Sequence, residues 1–471
     1  MSARTSAAAT ARPRRAIVIG GGLTAMLAAR VLSSHADVVV IERDLLPDRP
    51  EHRKGLPQAH HVHVLWSGGA EAIGTLLPGA LAELKAQGAR RIPLTSGMVA
   101  LSPKGWFRRW QESHYAIACH RDLLDWVVRG EVLGRSGKAI TVMEQTTVLG
   151  LTGSADAVTG VDIRRADGKT DSLRADLVVD ASGRGSQTPV WLNQLGAPGP
   201  ASREVDCGLV YASRLYKAPA GLPESWPIIN VQADPRGNRP GQAGVILPIE
   251  DERWLVTLSG TRGGEPTNNT DDFTDFALGL RHPIVGEMIK KASPIGPVQL
   301  TRMTGNRRRF YEKTALPDNL LVLGDALAAY NPTYGHGMSV AAQSAVTLQE
   351  MIHRYGWAAP GLTKRVQKAV AQHVAIAWTF AAGTDVFYEN ATEHGPNLSE
   401  RIAARFVDRL TYTATGSGRI ARDLTDVMTL QAGPERLFRP TTLIAAARGP
   451  LKPQLTAPPL SIEEQRAIDS P

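Results

Sequence analysis

The 471-residue sequence predicts an α/β protein in three parts: a parallel-sheet βαβ domain, an inserted and largely antiparallel β-sheet, and a helical C-terminal region. Three observations carry this. Ala16–Ile19 and Asp37–Ile41 are short buried-strand patterns flanking a helical pattern over Leu23–Ser34, which opens a βαβ unit. From about residue 205 to 310 the chain changes to strand-like runs at Gly208–Leu215, Ile228–Gln232, Gly244–Ile249 and Trp254–Ser259, cut by Pro and Gly turns. Leu320–Leu323 then returns to a continuous apolar strand, and helical periodicity runs to about residue 430 before a Pro-rich tail.

Taken in order, residues 1–13 are rich in Ala, Ser and Thr and read as a flexible tail. Arg14-Arg15 before an apolar run mimics an export signal. Three glycines follow at once and no cleavage site closes it, so a cytoplasmic protein is expected. Arg53–His63 is a polar loop, followed by helix to about Gln87 and an amphipathic helix at Arg121–Arg129. Val148–Leu151, Val158–Ile163 and Ser172–Val179 read as strands, the last two joined by a turn at Asp167-Gly168. The best apolar stretch, Ala369–Phe387, is interrupted by Gln372, His373 and Thr379, so no membrane span is expected.

Composition narrows the class. At 43% hydrophobic and 21% charged, the chain is an ordinary globular one. Two cysteines, Cys119 and Cys207, make neither a disulfide framework nor a four-ligand zinc site. The +8 net charge is dispersed, which argues against a nucleic-acid footprint.

Gly20-Gly21-Gly22-Leu23-Thr24-Ala25 reads as G-x-G-x-x-A between a strand and a helix. Gly20 permits the tight turn and Gly22 lets a pyrophosphate approach the backbone. Leu23 and Thr24 open the helix, whose N-terminus offers free N–H groups, and Ala25 allows close helix–strand packing. Glu42 follows Gly22 by 20 residues at the end of the second strand, where a carboxylate takes both hydroxyls of an adenosine ribose. A dinucleotide is therefore expected. A second nucleotide-type signal appears at Leu320-Leu-Val-Leu-Gly324-Asp325, followed by Asn331-Pro332 and Gly335-His336-Gly337-Met338 at the start of a helix. There Asp325 can bond a ribitol hydroxyl, and the helix start near Gly337 suits a flavin pyrimidine carbonyl.

At these residues the sequence resembles FAD-dependent monooxygenases of the para-hydroxybenzoate hydroxylase fold. The match runs from about Ala16 to Ile352 and implies a glutathione-reductase-type Rossmann FAD domain. Asp180 in Asp176-Leu-Val-Val-Asp180-Ala-Ser182-Gly183 corresponds to the family's middle Asp-Gly motif. By the resemblance, Arg121 reaches the ribityl–phosphate region, the Val148 backbone contacts adenine, and Arg43 flanks the adenosine beside Glu42. Arg53 and Gln58 are expected near the isoalloxazine. The implied division is a tail at 1–13, an FAD-binding part at 14–200, a substrate-binding sheet at 201–312, an FAD-binding return at 313–355 and a helical region at 356–471. Ser182 replaces the acid usual in the middle motif, and Ala328 and Ala329 stand where a histidine is often found. These departures leave two routes for electrons from NAD(P)H, direct or through a separate flavin reductase.

Arg53–His63, Trp66–Gly69, Leu77–Gly79, Cys119–Trp126, Thr257–Pro266 and Asn331–Ser339 carry a narrower resemblance. They are similar to bacterial flavin epoxidases acting on polyene polyketides in polyether-ionophore biosynthesis, as in the lasalocid and monensin pathways. This implies epoxidation with dioxygen through a flavin 4a-hydroperoxide, with no catalytic side chain required. An acyl carrier protein enters as a candidate partner beside the reductase. The antiparallel sheet is expected to wall the pocket, and the uncharged, Ala-rich Ala371–Phe387 helix reads equally as its closure or as an internal core helix. The alternatives are a phenol hydroxylase with Tyr211, Tyr216 or His336 as base, and an oxygen-independent reductase of prenyl-like chains.

Other signals fall away. His60, His61 and His63, with His52 upstream, lack the carboxylate or cysteine complement of a metal site. Asp167–Thr170 resembles the end of a P-loop but lacks its first glycine, and no G-x-S-x-G elbow or Trp-x-Trp-x-Ile-Pro halogenase signature occurs. Trp106 and Trp110 stand either in a pocket wall or in a core.

Overall fold

The computed structural model describes residues 13–302 and 304–469, so most of the expected N-terminal tail lies outside the described residues. β1 (Arg15–Ile19), α1 (Leu23–Leu32) and β2 (Asp37–Ile41) form the opening βαβ unit. α2 (Arg121–Ser136) leads into β3 (Ile140–Met143), and β4 (Leu177–Asp180) follows a three-stranded antiparallel excursion. β5 (Asn306–Arg309) lies outside the main sheet, which is completed by β6 (Leu320–Val322). α3 (Gly337–Tyr355) and α4 (Leu362–Asp385) open the helical C-terminal region.

The main sheet has the order β6-β4-β1-β2-β3, parallel throughout. Its strands are Val-, Ile- and Leu-rich because helices and the antiparallel excursion, through Val158, Val161 and Ile163, pack against them, leaving no wet side to mark with alternation. The order puts β1 at the centre, with β2 on one side and β4 on the other. Turns after β1, β2, β4 and β6 therefore gather at one edge, the carboxyl ends where open α/β sheets bind ligands. The third strand of the sheet on the β2 side waits until residue 140, since the chain first builds the Arg53–His63 loop and two small β-units.

The expected strand Ser172–Val179 is two strands. Thr170–Arg174 closes an antiparallel hairpin on Val158–Arg164, while Leu177–Asp180 enters the main sheet beside β1. The break falls at Asp176, whose carboxylate accepts the Arg15 N–H at 2.8 Å. A polar, mostly exposed run before the break and continuous apolarity after it match the two environments.

The inserted sheet has seven strands: Ser293–Thr301, Val210–Lys217, Arg253–Gly260, Gln242–Ile249, Ile228–Val231, Met98–Ser102 and Gly105–Trp106. All its pairings are antiparallel except Ile228–Val231 with Met98–Ser102. Trp226 and Trp254 stack at 5.7 Å in its core beside Phe273. Trp106 belongs to that core and Trp110 packs on Gly418, so neither lines a pocket here.

α4, open in the sequence to either reading, packs on α3 and β6 in the nucleotide-domain core through Val366, Val370, Val374 and Ala377. Its lack of charge over Ala369–Trp378 reflects burial between helices. Among the described residues no helix is long and apolar enough to cross a membrane.

Candidate cofactor site

The three sequence motifs meet at the carboxyl edge of the main sheet. Gly20 has φ +103, and a β-carbon there would stand 2.7 Å from the Ala181 carbonyl oxygen, so the first turn is pressed against the turn after β4. Gly21 N–H donates to Glu42 Oε2 at 2.6 Å, and Asp44 N–H donates to Glu42 Oε1 at 3.0 Å. The acid at the end of β2 is thus fixed over the glycine turn.

Gly22 is different. A β-carbon there would meet only Arg53 Nη2, at 3.6 Å, so this face of the turn is open. Leu23 and Ala25 point into the core, leaving their backbone as the part that faces the turn, and Thr24 faces the turn that holds Gly324. Gly337 is open in the same way, its nearest atom being Asp325 Oδ1 at 4.0 Å. Two open glycines at two helix starts, α1 and α3, form a cradle with positive potential at both ends.

Charge lines this cradle. Arg53, expected near the flavin ring, instead lies across the nucleotide end. Its Nη1 is 3.3 Å from Glu42, its Nη2 bonds the Gly21 carbonyl at 3.3 Å, and it pairs with Asp125 at 3.4 Å. Asp125 also meets Arg121 at 3.4 Å and Arg129 at 3.7 Å, one helical turn to either side on α2. Arg53 Nε and Arg121 Nη1 are buried without a hydrogen-bond partner among the described residues. Three arginines against two acids, with unused donors, are the fit an anionic diphosphate needs. Arg43 is exposed beside Glu42. Thr146 N–H bonds the Glu42 carbonyl at 2.9 Å, which brings Val148, two residues on, to the same end.

Asp180 does not present a free carboxylate. Its Oδ1 accepts the Ser182 N–H and hydroxyl at 2.9 and 2.6 Å, and its Oδ2 accepts the Ser186 and Thr188 hydroxyls at 2.5 and 2.6 Å. It ties down its own turn and acts on the site through that turn. Burial raises the Asp325 carboxyl above its ordinary value, opposed by the charges of Arg184, Arg121 and Arg307. Pro332 starts a short 3-10 turn capped by the Asn331 side chain, Gly335 closes it at φ +66, and Met338 follows in the first turn of α3.

The Arg53–His63 loop spans both halves of the molecule. Gln58 sits half-buried on the Pro57–His60 turn. His61 is buried, with Nδ1 2.7 Å from Ser213 Oγ, which is 2.6 Å from Thr257 Oγ1. Thr257 Oγ1 also accepts the Val62 N–H at 2.9 Å, so the imidazole, the two hydroxyls and the loop backbone form one connected network. Burial holds His61 down at about 4 and His63 at about 3, and both are neutral imidazoles.

Sequence reading missed Asp125, Asp385 and the Thr24–Gly324 contact. Asp125 had a signal, since Arg121, Asp125 and Arg129 recur at intervals of four on a helix. Asp385 had none, because its partners lie 54 and 79 residues away.

Comparison with known proteins bears on the family and the fold. The FAD binding domain family model matches residues 131–380. Protein Rv3254 of Mycobacterium tuberculosis is 31% identical over 389 residues, covering 80% of this chain and 81% of that protein. Among solved structures, flavin-dependent brominase Bmp2 superposes with a TM-score of 0.64 at 16% identity, over 92% of this chain and 98% of its own. The p-nitrophenol 4-monooxygenase PnpA from Pseudomonas putida DLL-E4 gives a TM-score of 0.62 at 16% identity, over 89% and 99%. At such identities these two likenesses concern the fold. With the three motifs converging on one open cradle, the chain belongs to the FAD binding domain family, on a fold it shares with flavin-dependent monooxygenases and halogenases.

Proposed function

We propose that this protein is a flavin-dependent monooxygenase that epoxidises alkenes of an apolar polyene polyketide, in polyether-type natural-product biosynthesis. Bound FAD, reduced by NAD(P)H directly or through a flavin reductase, supplies activated dioxygen for transfer of one oxygen atom. The chain's own part is to bind that cofactor, orient the alkene and keep water away.

One observation supports an alkene over a phenol: burial disfavours the charged form that proton transfer needs at each of the sequence's candidate bases, including His336, whose Nδ1 is buried without a hydrogen-bond partner among the described residues. The Tyr211 hydroxyl is 2.6 Å from Thr333 Oγ1, and burial pushes its pKa well above the ordinary tyrosine value. His336 is buried, with burial holding it down at about 4, and its Nε2 is 2.9 Å from the Met428 carbonyl. Tyr216 is packed against Phe273 inside the inserted sheet, and burial raises it too. A phenol hydroxylase benefits from a residue that deprotonates the ring hydroxyl, whereas an alkene has no such proton.

The test is turnover of a non-conjugated polyene by FAD-loaded protein under isotopically labelled dioxygen, with NAD(P)H alone or with a flavin reductase. One labelled oxygen per consumed alkene is the expected product by mass spectrometry. Untouched alkenes alongside hydroxylated phenols would overturn the reading, and turnover without dioxygen would place the protein among flavin reductases of prenyl-like chains.

A further inference from the structure

α4 ends at Asp385, which is 1% exposed and sits beneath the Asn331–Gly335 turn. Its Oδ2 accepts Asn331 Nδ2 and Asn306 Nδ2, each at 2.7 Å, and its Oδ1 accepts the Tyr334 hydroxyl at 3.2 Å. Asn306 Oδ1 in turn accepts the Asn331 backbone N–H at 2.7 Å, and Asn331 Oδ1 accepts the Thr333 N–H at 3.0 Å. One carboxylate therefore gathers β5 and both sides of the turn into a single network.

The position is an expensive one for an acid. It lies at the carboxyl end of a helix, against the negative end of the macrodipole, and burial pushes its carboxyl up to about 6 despite hydrogen bonds from Asn331, Asn306, Tyr334 and the Cys207 thiol. An apolar side chain fills such a space at less cost. What the carboxylate adds is directional: it fixes where Asn331 and Tyr334 stand, and the chain between them and α3 is only Gly335 and His336. Trp66 braces the same turn from the other side, donating Nε1–H to the Tyr334 carbonyl at 3.1 Å.

We propose that Asp385 is a positioning residue for the cofactor, holding the Asn331–Gly335 turn and the start of α3 in the arrangement that receives the flavin. The proposal rests on the reading of Gly324–Met338 as flavin-facing. It gives α4 a part in the site different from that of a lid.

Asp385→Ala, Asp385→Asn and Tyr334→Phe in the full chain test this, through FAD titration, the visible spectrum of bound flavin, and melting with and without FAD. Asparagine keeps an acceptor for both amides and an N–H for the Tyr334 oxygen, so Asp385→Asn should stay within about threefold of the parent Kd. Asp385→Ala should bind FAD about tenfold more weakly or worse, shift the flavin band, and lose more melting temperature with FAD than without it. Tyr334→Phe should weaken binding about threefold. Parent-like affinity and spectrum in Asp385→Ala, or equal melting losses with and without FAD, overturn the proposal. If Asp385→Ala does not fold, unchanged affinity and spectrum in Tyr334→Phe overturn it. A parent chain that takes up no FAD overturns instead the reading of the site, and the proposal falls with it.

Discussion

Thr24 and Gly324 stand face to face across the site: a β-carbon at Gly324 would lie 2.5 Å from Thr24 Oγ1 and 3.0 Å from its methyl carbon. The contact joins the first turn of α1 to the turn after β6, 300 residues later in the chain. Gly324 has φ +61, which costs a residue with a β-carbon about 1–2 kcal/mol before any clash is counted.

Gly324→Ala is therefore expected to weaken FAD binding about tenfold, by pushing the two turns apart. Thr24→Ala in the same chain removes the oxygen and methyl but leaves the strained φ and a contact of 3.1 Å to the Thr24 β-carbon. The double variant should recover part of the lost affinity. Flavin-fluorescence titration of the four chains measures the coupling, and strictly additive losses would count against the contact.

That relationship also marks where sequence reading stopped. The βαβ opening, the antiparallel insert and the return strand were legible because each is a local pattern of apolar period and turn residues. Gly20, Gly22 and Glu42 were legible because a dinucleotide turn imposes fixed spacing within a few dozen residues. Nothing in a polar loop says which turn the long Arg53 side chain will reach, and only the structure sets it against Glu42, the Gly21 carbonyl and Asp125. The middle motif records Asp180 but hides the four hydrogen bonds it makes to its own turn. The sequence leaves α4 open between a lid and a core helix, because an uncharged, Ala-rich helix has the same pattern whether it faces a pocket or two other elements; the structure shows the core helix.

Asp125 gives a second prediction. It is the buried acid shared by Arg53, Arg121 and Arg129, and removing it takes that ion pair from all three arginines and leaves Arg53 with Glu42. Breaking a buried pair from one side costs about 3–5 kcal/mol. Asp125→Ala should therefore melt well below the parent without FAD, while added FAD, which brings two phosphate charges, restores more melting temperature than it adds to the parent. Scanning with and without FAD checks this. An equal FAD-induced rise in both chains would mean that the arginines do not face the diphosphate.

Stability should fall on mild acidification. His61 and His336 are held at about 4 and His63 at about 3, against an ordinary value of 6.5, so between about pH 6.5 and 4 the unfolded chain binds protons that the folded chain does not. Burial also lowers His35, His60, His282 and His373, with the same sign. Asp385, raised to about 6, and Asp325, also raised, act oppositely, because the folded chain keeps their protons in that window. The histidines outnumber them, so the melting temperature should drop from pH 7 to pH 4.5. His61→Gln, which keeps a polar partner for Ser213, should drop less steeply. A flat or rising profile would contradict the buried neutral histidines.

Gly22 separates binding from folding most cleanly. Its φ of -83 and ψ of -177 are open to any residue, and a β-carbon would find only Arg53 Nη2 at 3.6 Å, an ordinary contact. Nothing in the protein itself requires glycine there. A bound diphosphate does, because it must come within hydrogen-bond reach of the backbone at the start of α1. Gly22→Ala should thus melt within about 1 °C of the parent without FAD and bind FAD at least tenfold more weakly. Gly20→Ala should behave the opposite way, losing stability even without FAD through its φ of +103 and the 2.7 Å approach to the Ala181 oxygen. Calorimetry and titration on the same two variants decide the matter: if Gly22→Ala retains full FAD affinity, the open face of the turn is not where the diphosphate lies.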